Sequence, residues 1–369
     1  MKIVCSKNFL LNSISTVQKA VTGKTTLPIL DGILISGKDN QVSLTATDLD
    51  MGIETKMSSD VEVVEEGSVV INSRLFGDII RKLPDITITI ESDNTYNTII
   101  TCGKSKFNVV GQDPKDYPEL PVINENAMYK IPQDLLKNMI RQTIFATAQD
   151  ETRPILTGVL FEVKDGVLSM VALDAYRLAL RKSNVDLSSN ISVVIPGKTL
   201  NEVGKILDSS NEEVEITFTP NHILFKVENT RVISRLLEGE FINYRQIIPD
   251  EYKLRVKANS KMLLDSIERA SLLAKEGKTN LIKMNITNNN MIITSNSQFG
   301  NVHEEVPIVL EGNELQIAFN SKYFIDALKI IDEEEVYLEF SSSVSPCLVK
   351  TIGSEDYVYL ILPVRLIAS

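Results

Sequence analysis

The sequence predicts an α+β protein made of three tandem copies of one domain, each with two helices packed on antiparallel strands. Three observations carry this expectation. First, the chain matches itself without a gap at an offset of 126: residues 28–48 align with 154–174 with 10 identities in 21 positions, including Pro28/Pro154, Gly32/Gly158, Lys38/Lys164 and Asp48/Asp174. Second, helix-period stripes and strand-period alternation follow one another in the same order within each third. Third, 369 residues is the length of two or three ordinary domains, and it divides evenly by three.

The first third shows the unit most clearly. A strand over 1–5 precedes a helix with Leu10, Ile14, Val17 and Val21 at helical spacing. Strands over 32–36 and 41–47 are joined at Lys38-Asp39-Asn40, residues that tolerate the positive φ of a tight hairpin turn. A strand over 68–72 enters a second helix that Leu83-Pro84 stops, because proline cannot continue a helix. Alternation over 86–90 closes the unit. The later copies are fainter. Leu11-Asn12-Ser13-Ile14 recurs as Leu264-Asp265-Ser266-Ile267, and Leu135 to Ile140 fills the middle place. Ser68-Val69-Val70-Ile71 recurs as Ser192-Val193-Val194-Ile195, with Leu315 to Ala318 in the last third. Asp116-Tyr117-Pro118-Glu119-Leu120-Pro121 resembles Asn243 to Pro249, and both read as exits of a unit. The expected domains are 1–126, 127–252 and 253–369, each a β-α-β-β-β pattern written twice.

Composition narrows the function. Hydrophobic residues make up 43% and charged residues 24%, which suits a folded core and not a disordered chain. The three cysteines (Cys5, Cys102, Cys347) have neither metal-site nor disulfide spacing, and with no apolar leader the chain is expected to be cytoplasmic. The longest apolar run, 357–364, is far too short to cross a bilayer, so no membrane partner is expected. The net charge of −11 argues against nucleic acid when taken whole. Its distribution does not. The six expected helical segments (7–24, 72–83, 133–149, 197–208, 260–278, 320–331) carry +8 over 90 residues and leave −19 on the other 279. Stacked units would gather those helices on one basic face, able to hold a polyanion without reading bases.

Catalytic chemistry is poorly supplied. Gly-Lys-Thr occurs at 23, 197 and 277, but the glycine a phosphate loop needs five residues earlier is Gln18, Ser192 or Leu272. His222 and His303 stand at non-equivalent places with no nucleophile motif beside them. Asp48 and Asp174 occupy equivalent repeat positions, which points to a turn or strand-end role over catalysis. No catalytic residue, metal ligand or cofactor is expected.

The combination of the threefold repeat with Thr152-Arg153-Pro154-Ile155-Leu156-Thr157-Gly158, the run Ala172 to Ala179, Asn243-Tyr244-Arg245 and the terminal Leu362-Pro363-Val364-Arg365-Leu366 resembles the bacterial sliding-clamp family, the beta subunits of DNA polymerase III, over the whole chain. The resemblance implies three clamp domains, a head-to-tail homodimer closed into a ring with helices inside, double-stranded DNA in its opening, and a processivity role without catalysis. Clamp loader, replicative polymerase and other clients are the implied partners. Twelve helices at about 10 Å each would leave an opening of roughly 28 Å, enough for duplex DNA and a layer of water. By motif match, the DNA-facing residues would be Lys24, Arg74, Gln149 and Lys198, with Lys278 added by repeat equivalence. The ring-closing contact would set Lys104, Lys106, Phe107 and Val109 against Leu272, Leu273, Glu304 and Glu305. A client-peptide pocket would use Leu156, Ala175, Tyr176, Arg177, Leu178, Ile242, Ile247, Tyr323, Leu360, Ile361, Leu362, Pro363, Val364 and Arg365, with the two arginines at its edge. Ala175-Tyr176 departs from the small residue-His common in the family, which bears on peptide preference more than on pocket location. Two rivals fit the same residues: a clamp-like protein-binding scaffold that does not encircle DNA, and an unrelated β-rich enzyme.

Overall fold

Strand propensity and turn chemistry place the hairpins where the sequence puts them. Gly32–Lys38 and Gln41–Thr47 pair antiparallel, with Asp39 and Asn40 at φ 50° and 53° in the turn. The second repeat turns the same way, at Asp165 and Gly166, both with positive φ. In this computed structural model, which describes residues 1–23, 27–125, 128–150, 152–186, 189–276 and 280–365, six α-helices are seen. They are α1 (Lys7–Val17), α2 (Ser73–Lys82), α3 (Gln133–Arg141), α4 (Gly197–Ile206), α5 (Ser260–Glu276) and α6 (Ser321–Leu328).

Helix ends differ from expectation for local reasons. The stripe expected to run from Leu10 to Val21 is helical only to Val17. A 3-10 turn, Gln18–Ala20, follows, and Val21 is extended. Leu10, Ile14 and Val17 are all fully buried, whereas Val21 is half-exposed and needs no helix to place it. The segment over 133–149 likewise ends at Arg141 and continues as a 3-10 turn over Ile144–Ala146. At α2 the start is chemical: the Asn72 side chain accepts the Leu75 N–H at 3.0 Å, satisfying one of the helix's orphan donors. Asn72→Ala is expected to lower stability by about 1 kcal/mol, read from the urea midpoint; no change would remove the cap from the reasons α2 begins there.

Among the described residues the strands form three antiparallel sheets of five, eight and twelve. Two compact units contain them: residues 1–137 with 201–236, and 138–200 with 237–369. The central repeat is divided between these units because its strands join the sheets of its neighbours. Thr230–Arg235 pairs with Met51–Met57 of the first repeat, while Arg177–Asn184 pairs with Tyr357–Ile361 of the third. In the first unit α1 packs on α2, and in the second α5 packs on α6. Both pairs rest their apolar sides on sheet, and Ser13 of α1 and Ser266 of α5, matched by the repeat, are both buried.

Candidate functional site

A shared aspartate turn begins the site. Asp174 Oδ1 accepts the N–H groups of Tyr176 and Arg177 at 2.8 and 3.0 Å, and Asp48 Oδ1 accepts those of Asp50 and Met51 at 3.1 and 2.8 Å. These equivalent aspartates therefore build turns, as their repeat positions imply.

In the second unit that turn borders an apolar surface. Leu156, Leu178 and Leu360 form its floor, all within 4% exposure, in a cluster with Tyr244. Leu178 lies directly across from Leu360 in the antiparallel pairing, and Ile361 beside it is wholly buried. Around the floor stand apolar side chains that the fold leaves in water: Tyr176 at 58% exposure, and Ile242, Ile247, Leu362 and Val364 between 37% and 42%. Ala175 and Arg365 are exposed and Pro363 is half-buried. Exposed apolar surface forgoes about 25 cal/mol per Å² of burial, and a gathered patch of it marks a docking surface. The C-terminal segment is held in place by backbone: Leu362 N–H donates to Tyr176 O and Val364 N–H to Ala318 O, each at 2.8 Å. Tyr323 of α6 stacks on Tyr176 with ring centroids 6.1 Å apart and planes 20° apart.

Arg177 is the correction here. It does not stand at the edge of the patch but lies beneath it, 7% exposed. Nε meets Asp174 at 3.0 Å, one terminal nitrogen meets Asp326 of α6 at 2.6 Å, and the other donates to Phe145 O at 2.6 Å. Its plane also lies 4.8 Å from the Tyr323 ring centre. Burial disfavours the guanidinium charge, and the surrounding Tyr359, Asp326 and Asp174 outweigh that, raising its pKa above the ordinary value. Arg177 is a brace that sets the Tyr323 wall, and its charge is spent inside the protein.

The cations expected to face DNA are only partly described. Lys24 and Lys278 lie outside the described residues. Arg74, in the first turn of α2, Gln149 and Lys198, in the first turn of α4, are exposed. Many other helical cations pair within the chain: Arg81 with Asp78, Lys205 with Glu202, Lys261 with Asp265 and Lys329 with Glu268. Arg74, Lys82, Lys275 and Lys322 are also exposed and make no ion pair with a described residue.

The two segments expected to close a ring each present an unpaired sheet edge. Among the described residues Ser105–Val110 pairs only with Asn97–Cys102. Among the described residues the first part of Gly300–Glu311 pairs with Asn290–Ser297 alone, since the strand over Leu254–Asn259 reaches only residues 308–311. Lys104, Lys106 and Phe107 are exposed, as is Leu272 at 65%, with Leu273 half-buried. Val109 differs from expectation: it points into its own sheet at 6% exposure, and Val110 is the outward residue at 79%. Strand alternation decides this, a period the motif match could not phase. The acidic residues are already engaged, Glu304 by Arg269 at 2.6 Å and Glu305 by His303 at 3.0 Å and Asn290 at 2.8 Å. Arg269 also holds the Glu304 carboxyl below its usual range.

Comparison with known proteins follows this geometry along the whole chain. Family models of the DNA polymerase III beta subunit match in succession: the N-terminal domain over 1–121, the central domain over 130–243 and the C-terminal domain over 245–365. The beta sliding clamp of Bacillus subtilis is 44% identical over 376 positions, covering 99% of this chain and all of that one. That of Staphylococcus epidermidis is 41% identical over 374, covering 99% of each. The crystal structure of the Bacillus subtilis DNA polymerase sliding clamp superposes with a TM-score of 0.96 at 43% identity over the whole of both chains. The DNA polymerase III beta subunit from Thermotoga maritima gives 0.92 at 28%, covering 99% of this chain and 100% of that one. With all three domains matched in order and relatives aligned end to end, the chain belongs to the DNA polymerase III beta subunit family, the beta sliding clamps.

Proposed function

We propose that this chain is a non-catalytic processivity factor of DNA replication, acting as a head-to-tail homodimer that encircles duplex DNA. The observation that supports it best is the pair of unpaired sheet edges, Ser105–Val110 and the first part of Gly300–Glu311, in the first and third repeats. Two copies joined edge to edge with a rotation that closes satisfy both of these edges in each copy. The three domains would divide near residues 126 and 252. Lys24, Arg74, Gln149, Lys198 and Lys278 would face the duplex and hold it through water and charge, without sequence preference. Linkage by topology then replaces tight binding, so the ring slides while a client polymerase stays on its template. A clamp loader would open and close it.

The test is retention. After loading, the protein should remain on nicked circular duplex and slide off linear duplex with free ends; equal loss from both would rule out encirclement.

The exposed apolar patch around Tyr176 is the proposed client site. Leucine and phenylalanine side chains of an extended peptide would bury Ile242, Ile247, Leu362 and Val364 against the floor of Leu156, Leu178 and Leu360. Deleting 362–369 removes two of the exposed apolar walls and the backbone contacts to Tyr176 and Ala318. Client-peptide affinity is expected to fall at least tenfold with the dimer intact, as two anchors worth about 1 kcal/mol or more each are lost. Unchanged affinity in fluorescence anisotropy would move the site elsewhere.

A further inference from the structure

The junction between the first and second repeats, which lies wholly within the first unit, follows the same plan as the apolar site, with one exchange of side chains. In the site, Leu178 stands across from Leu360, and Leu360 across from Leu348. At the first junction the corresponding pairings set Gly52 across from Ile233, and Ile233 across from Leu224. Leu30 takes the place of Leu156, Tyr117 that of Tyr244, and the Asp48 turn that of the Asp174 turn.

Leu178 fills its own place in the floor, and Ile247 stays 37% exposed. Gly52 has no side chain to fill the matching place. Leu120, the repeat counterpart of Ile247, comes down instead: a Cβ added to Gly52 would stand 2.2 Å from Leu120 Cδ2. Leu120 packs on Leu224 and Ile233 together with Ile123, and all three of those partners are at most 6% exposed. Interiors are packed too densely for a vacated leucine volume to stay empty, so the glycine and the inserted leucine are one device.

We propose that the first junction is a second peptide groove of the same kind, occupied by the chain's own segment 117–123 with Leu120 as its internal ligand. The inference rests on the reading of the second junction as a client-peptide site. Leu120 is covalently tethered beside the groove, so its effective concentration exceeds that of any free peptide and the groove stays shut. Each protomer is thereby limited to one client site although its repeats contain the plan for two. A partner able to withdraw the 117–123 segment would expose a groove for a leucine-bearing extended peptide.

The experiment titrates the full-length protein by calorimetry with a hexapeptide carrying adjacent leucine and phenylalanine side chains. The unaltered protein should bind one peptide per protomer and Leu120→Ala two. Combining Leu120→Ala with deletion of 362–369 should return the count to one, from the new groove alone. Gly52→Ala is the independent variant: it pushes Leu120 outward without leaving a hole, and should also raise the count to two. If Leu120→Ala does not fold, Gly52→Ala decides. A count that stays at one in the folded variants overturns the proposal and leaves the client-site reading intact. A count of zero in the unaltered protein with one in the variants overturns the client-site reading at the second junction while the groove at the first stands, and zero throughout overturns both.

Discussion

Replacing Arg177 with methionine is expected to lower stability by about 3 kcal/mol, the cost of removing one partner from a largely buried charge cluster. The size follows from what stays behind. Asp326 loses its 2.6 Å partner, the Phe145 carbonyl loses a donor at 2.6 Å, and Asp174 keeps only its backbone N–H groups. The two carboxylates are only 17% and 25% exposed, so water repairs little of the loss. Methionine keeps the packing volume, which isolates the electrostatic part. Arg177→Lys should recover less than half, because one ammonium cannot reach three acceptors that a planar guanidinium meets at fixed angles. Urea midpoints by circular dichroism measure this, and a loss under about 1 kcal/mol for Arg177→Met would show that the cluster is dispensable. Client-peptide affinity should fall with it, since Tyr323 lies against the guanidinium and Tyr176 against Tyr323.

If the proposed dimer forms, the double change Phe107→Asp with Leu272→Asp is expected to turn it into a monomer of 41.1 kDa at micromolar concentration, read by light scattering. Both side chains are exposed in the single chain, Leu272 at 65% and Phe107 at 39%, so charge there costs the fold little. In the proposed contact the same positions are its apolar centre, and four buried carboxylates in a closed ring would each carry a desolvation cost of several kcal/mol. Retention on nicked circular DNA should vanish with the dimer. A variant that keeps twice the single-chain mass would place the ring contact on other surfaces. Val109→Asp is a contrasting change: with 6% exposure it should damage the first-repeat sheet itself and not the contact alone.

The architecture could be read before folding because its causes are local or repeated. The hairpin at Asp39-Asn40, the stop at Leu83-Pro84 and the paired turns at Asp48 and Asp174 depend on residues a few positions apart. The repeat then shows the same solution again, each third supplying the pattern of helix, hairpin and strand that the others carry more faintly. Helix ends were less legible because a 3-10 turn satisfies the same hydrophobic spacing as a further turn of α-helix, as at Gln18–Ala20 and Ile144–Ala146. Likewise the helices' net positive charge could be counted in advance, but not how much of it is neutralised within the chain, because Lys329 meets Glu268 across 61 residues and Arg269 meets Glu304 across 35.

What the sequence alone determined is the threefold α+β repeat and the family, since periodicity, turn stereochemistry and motif all lie along the chain. Only the tertiary structure decided which way individual side chains serve. It turned Val109 inward and Val110 outward, sank Arg177 under the site it was expected to flank, and let Leu120 fill the space above Gly52 where Leu178 and Ile247 leave a surface open. Each of these depends on strands and carboxylates that meet across long stretches of sequence, and a pairing between distant segments acts on a side chain only once the chain has folded.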